Sequence, residues 1–199
     1  MTPNPDPDLK KIIDEYDQTI KEVRENPSDL DPYDRVTPAT PIYLQYQADY
    51  LCDYLDVDDG SDEVKEVRRI KSTTNDLVTS TDSYLRAVIS ELDKMVEQYP
   101  KYVGSAFELE PISNEIDQTL YTRDNIEMIL SFFLEMSDSP LHQINEDIRE
   151  CRIRVSALDK ALRRRFELHD DLVREDQEIY RKEYYPDNYW WRHPEQVLD

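Results

Sequence analysis

The chain has 199 residues, a net charge of −21, 35% charged side chains and only 2 glycines. That length supports one domain with a real core, or one extended helical assembly. So little glycine argues against phosphate-cradling loops, nucleophile elbows and type I′ hairpins, and with them Rossmann or Walker nucleotide binding. The acidic balance opposes nonspecific binding to nucleic acid or to an anionic membrane.

Residues 1–7, rich in proline, predict an extended N-terminal tail. Asp8 then caps a helix whose apolar stripe is Leu9, Ile12, Ile13, Tyr16, Ile20 and Val23, and Pro27 stops it. A proline-rich connector leads to a second helix opening at Pro41, apolar around much of its circumference. Ser61 or Asp62 caps the next. From there Val64, Val67, Lys71, Thr74, Val78, Thr81, Leu85, Val88, Leu92, Met95 and Tyr99 follow one heptad register up to Pro100. This predicts a single helix of about 38 residues, roughly 57 Å long.

Residues 100–121 fit an irregular crossing, a short strand or the start of a helix. Thr122 caps an apolar helix carrying Ile126, Ile129, Leu130, Phe132, Phe133 and Leu134. Ser139 and Pro140 open the last helix, with Leu141, Ile144, Ile148, Cys151, Val155, Leu158 and Leu162 on one face. The register slips by one after Leu162, and no breaker intervenes before Pro186, so about 45 residues of helix are expected. The expected fold is all-α: an elongated antiparallel helical bundle, with two long heptad-patterned helices and shorter flanking ones, as a single domain over residues 8–184. Residues 185–199 form an aromatic C-terminal tail.

Cys52 and Cys151 form no CxxC pair and read as isolated thiols of a reducing compartment. No apolar run approaches the roughly 18 residues that cross a bilayer, and the first residues contain no apolar leader segment. A cytoplasmic protein without membrane association is expected.

Two stretches stand out chemically. Arg149, Arg152, Arg154, Lys160, Arg163, Arg164 and Arg165 face only Glu150 and Asp159 within their span, a local +5 that leaves −26 for the rest. Such a basic helix face would be drawn to acidic faces of neighbouring helices. The second is the tail, where Tyr184, Tyr185, Tyr189, Trp190, Trp191 and Arg192 surround a Pro-Asp-Asn turn. Trp, Tyr and Arg concentrate binding energy at interfaces, so these residues either cover the end of the bundle or dock on a partner.

Within the basic stretch, Arg164 and His169 have the Arg, four residues, His spacing. This resembles the signature of HEPN-type ribonucleases, although that family usually carries Asn where Arg165 stands. The resemblance implies an all-α dimer in which the Arg and His meet across a cleft and cleave RNA without metal.

Other chemistry is not signalled. No His follows a Glu by three residues, as a di-iron bundle requires, and residues 56–63 lack the alternating ligands of a calcium loop. No Gly-x-Ser-x-Gly occurs. No metal or cofactor is expected. The favoured reading is a non-enzymatic interaction subunit, an adaptor, regulator or accessory component with a protein partner. The long helices offer a homodimer seam, and direct nucleic-acid binding is disfavoured. The alternatives are the ribonuclease and an acidic mimic of nucleic acid that blocks a basic cleft.

Overall fold

Apolar side chains recurring every three or four residues specify helices that bury one stripe each, and a computed structural model of the chain is all-α. It describes residues 7–25, 36–108, 112–136, 142–175, 180 and 188–198, and among these there is no strand. The helices are α1 (Pro7–Glu25), α2 (Thr40–Tyr54), α3 (Asp62–Ser80), α4 (Asp82–Ser105), α5 (Ile112–Glu135), α6 (His142–Leu168), α7 (Asp170–Glu175) and α8 (Glu195–Leu198), with a 3₁₀ turn at Trp190–Arg192. Of the expected N-terminal tail, residues 1–6 lie outside the described residues. The packing falls into two compact units, residues 1–91 and 92–199, divided within α4.

In the first unit, α1, α2 and α3 pack on one another. The stripe read on α1 buries Leu9, Tyr16, Ile20 and Val23, while Ile12 and Ile13 are half-buried. Tyr16 crosses to α3, where its hydroxyl lies 3.2 Å from the Ile70 carbonyl and 2.9 Å from Thr74 Oγ1. The polar position in the middle of the α3 heptads thus serves a buried phenol; burial pushes the Tyr16 hydroxyl above its ordinary pKa, and the Thr74 hydrogen bond opposes that rise without cancelling it. Ser61 caps α3, accepting from the Val64 N–H at 3.1 Å. α2 has Pro41 in its first turn, as expected, but its N-cap position is Ala39, which has no side chain to give. Glu91 supplies the acceptor instead: one carboxylate oxygen takes the Ala39 N–H at 2.9 Å, and the other takes Thr37 Oγ1 at 2.8 Å and the Tyr43 hydroxyl at 3.1 Å.

The long helix expected over residues 62–99 is two helices. Thr81 is extended, with φ −126° and ψ 94°, and separates α3 from α4. Thr79 and Ser80 bond back to the carbonyls of Asn75 and Asp76, and the Leu85 N–H returns to the Thr81 carbonyl to start the next helix. Pro100 does not end α4, which runs one more turn to Ser105 with Pro100 exposed. The chain then turns at Phe107, where φ is 71°.

In the second unit, ion pairs and hydrogen bonds fix helix direction. Asp93, Tyr99 and Gly104 of α4 meet Cys151, Asp159 and Arg165 of α6 in ascending order, so these two are parallel. Arg123 and Glu127 of α5 meet Asp159 and Arg152 in descending order, so α5 runs against α6. The result is the up–down–up order of an antiparallel bundle. Residues 112–121 belong to α5, so Thr122 is not its cap; its hydroxyl bonds back to the Gln118 carbonyl at 2.8 Å. The last helix is shorter than expected: α6 closes at Leu168, His169 forms a turn, and α7 follows. The register slip after Leu162 marks that change, and Leu162, Phe166 and Val173 are all buried.

Candidate functional site

The most apolar helix, α5, carries two adjacent charges, Arg123 and Asp124, both buried. Charges there require partners. Asp124 finds them in the C-terminal segment: Trp191 Nε1 donates to Oδ1 at 2.7 Å, and Arg192 Nε donates to Oδ2 at 3.1 Å. Arg123 turns the other way and forks onto Asp159 of α6, Nε to Oδ1 at 2.8 Å and Nη2 to Oδ2 at 3.0 Å, while Nη1 reaches Glu127 at 2.8 Å. The same guanidinium lies 3.9 Å from the centre of the Trp191 ring. Tyr99 donates to Asp159 at 3.2 Å.

Burial alone would pull the Arg123 guanidinium down. The Asp159 and Glu127 carboxylates outweigh it and hold that group above its ordinary value, charged at any working pH. Burial, reinforced by the Asp159 charge, pushes Tyr99 well up. Every carboxylate in this cluster accepts from an arginine, so none is poised as a general base. Chemically the cluster is a lock between α5, α6 and the chain end.

The expected tail residues divide accordingly. Trp191 and Arg192 are each 2% exposed, and Tyr189 is 6% exposed. Tyr189 packs against Trp191, which meets Trp190 edge to face. Trp190 is half-buried, and Arg163 of α6 stacks on its ring at 4.1 Å. Tyr184 and Tyr185 lie outside the described residues.

The basic stretch divides too. Arg165 turns inward, to the Gly104 carbonyl and to Glu108 at 2.8 Å. Arg152, half exposed, reaches Glu127 at 4.0 Å. Attraction to the chain's own acidic residues therefore accounts for part of the stretch only. Arg149, Arg154, Lys160 and Arg164 are exposed and form no ion pair among the described residues. Ile153 and Leu168 stand among them, 66% and 67% exposed.

Arg164 and His169 do not converge within the chain. Five residues of helix turn the chain by roughly 500°, leaving the two about 140° apart around the axis. Arg164 faces solvent, while the His169 ring stacks on Phe107, centroids 4.8 Å apart and planes inclined by 14°.

Cys52 and Cys151 are both free and buried. Burial first, then the hydrogen bond to Asp93 at 3.5 Å, pushes the Cys151 thiol up to about 11. Among the described residues, no three His, Cys, Asp or Glu side chains gather as a metal set, and no helix is long and apolar enough to cross a membrane.

No protein-family model, no curated protein and no solved structure matches the chain.

Sequence reading missed Arg123, Asp124 and Glu91. The first two had a signal, since adjacent opposite charges within the most apolar helix must be satisfied by something. Glu91 had none: one acid among 45 Asp and Glu residues is invisible until Ala39 lies beneath it.

Proposed function

We propose that the chain is a non-enzymatic interaction subunit, an adaptor or accessory component of a larger cytoplasmic assembly, and that it binds through the solvent face of α6. One observation carries this reading. The strongest expected binding groups of the tail, Trp191 and Arg192, are spent on Asp124, whereas α6 keeps Arg149, Arg154, Lys160 and Arg164 beside exposed Ile153 and Leu168. Two large apolar side chains among cations that form no ion pair among the described residues, on a chain otherwise strongly acidic, are costly to leave bare and useful to cover. The tail contributes through Trp190, whose ring holds Arg163 at the edge of the same face.

Co-purification from cells, with the intact chain and with an Ile153→Asp/Arg164→Glu variant, tests the reading. A partner that is retained by the first, lost by the second and able to re-form the complex from purified components is the expected result. A partner held equally by both chains contradicts it.

A further inference from the structure

The arrangement of side chains on the α6 face points to the kind of partner, an inference that rests on the reading just given. Ile153, Ala157, Ala161 and Leu168 are exposed and fall on one side of the helix. Fifteen residues at 1.5 Å each make this stripe about 22 Å long, close to four turns. Its ends are large and the turn from Ala157 to Ala161 is small, so a facing helix can approach closely there while its own apolar side chains seat beside Ile153 and Leu168. Arg149 and Lys160 line one flank and Arg154 the other, Arg164 stands within the stripe between Ala161 and Leu168, and Glu150 and Glu167 lie near the two ends.

We infer that the α6 face takes an amphipathic helix with an apolar stripe and acidic flanks. Charge selects among the occupants. A second α6 laid face to face would set the same arginines against one another. A nucleic-acid strand would satisfy the arginines but leave Ile153 and Leu168 against phosphates. Its length would also meet the −26 carried by the rest of the chain. A helix of about twenty residues confines its charge to the basic patch and offers carbon to the stripe.

The probe is a designed helical peptide of about 21 residues (three heptads), with Leu at the two seam positions and Glu on the flanks. Its binding to the full chain is read by fluorescence anisotropy. The comparison ligands are a scramble of the same composition, a version with Lys for Glu, and a single-stranded RNA of similar length. The amphipathic acidic peptide should bind at least about tenfold tighter than each of them. Ile153→Ser/Leu168→Ser and Lys160→Glu/Arg164→Glu should each weaken it about tenfold or more with circular dichroism unchanged, and the charge-reversed chain should gain the Lys peptide. Equal binding of the scramble, tighter binding of RNA, or self-association that the same variants abolish overturns the inference. If the co-purified partner is lost with the face variants while the designed peptide fails to bind, the partner class is wrong and the α6 reading stands. If neither responds to the variants, both fall.

Discussion

The Arg192 guanidinium and the Asp124 carboxylate form an ion pair with both side chains almost withdrawn from water, 3% and 2% exposed. Trp191 donates to the same carboxylate, so one residue of α5 anchors two consecutive residues of the chain end. Removing one member strands the other as a buried charge, which typically costs about 3–5 kcal/mol. Arg192→Ala and Asp124→Ala should therefore each lower the free energy of unfolding, read from urea titration, by that order. The double variant should cost clearly less than the two added together, because neither charge is left alone. Simple additivity would show that the pair is not coupled.

Truncation before Tyr189 removes Trp191 and Arg192 together and uncovers the Trp191-facing side of Arg123. The expected outcome is loss of cooperative melting in the second unit. A truncated chain that melts like the intact one would mean that the segment is only resting on the bundle.

Glu91 stands in for a cap that Ala39 cannot provide, accepting the Ala39 N–H and the hydroxyls of Thr37 and Tyr43. Glu91→Gln keeps the shape but presents an amide donor to one of those donors, at a cost of about 1–3 kcal/mol. Hydrogen exchange at residues 39–43 should accelerate before that of α3. Unchanged protection there would show that α2 starts without help.

Much of this architecture was legible because burial leaves a period in the sequence. Leu9, Tyr16, Ile20 and Val23 on α1, and Ile148, Cys151, Val155 and Leu162 on α6, are buried as their spacing requires. Helix ends were less legible. The heptad register passes through Thr81 without a fault, yet Thr79, Ser80 and Thr81 form a run of small hydroxyl residues that compete locally for backbone groups, and the helix breaks there. Thr122 misled in the opposite sense, since a hydroxyl that looks like a cap can equally bond back within a helix. The tail was recognisable as contact-forming from composition. Its receptor was not, because Asp124 lies 67 residues away and only folding brings it to Trp191.

Stability should fall on the alkaline side. Burial raises the Cys151 thiol from an ordinary 9.0 to about 11, and it raises the hydroxyls of Tyr16, Tyr84 and Tyr99 above 10.0. A raised acid holds its proton in the folded state and loses it on unfolding. Its contribution is complete below the unfolded value and disappears as pH climbs through the folded one. The free energy of unfolding should be flat from pH 7 to about 9 and decline above it, with Cys151 contributing at most about 3 kcal/mol by pH 11. Cys151→Ala should flatten the decline between pH 9 and 11. In the native wild-type chain, iodoacetamide should modify Cys151 far more slowly than in urea. A native rate equal to the denatured one would contradict the burial of this thiol.

Arg164 and His169 offer the sharpest separation between a binding protein and a ribonuclease. In this chain the two residues serve different surroundings: Arg164 is exposed on α6, and His169 stacks on Phe107 at the turn into α7. His169→Ala should therefore cost stability, about 0.5–1.5 kcal/mol for the lost ring stack, while Arg164→Ala should leave the melting curve in place. On the interaction reading, the purified chain leaves single-stranded RNA intact, and Arg164→Ala weakens partner binding without His169→Ala doing so. Metal-independent cleavage that both substitutions abolish, with both variants folded, would reverse that assignment: two residues that are separate within one chain would have to meet across a pair of chains.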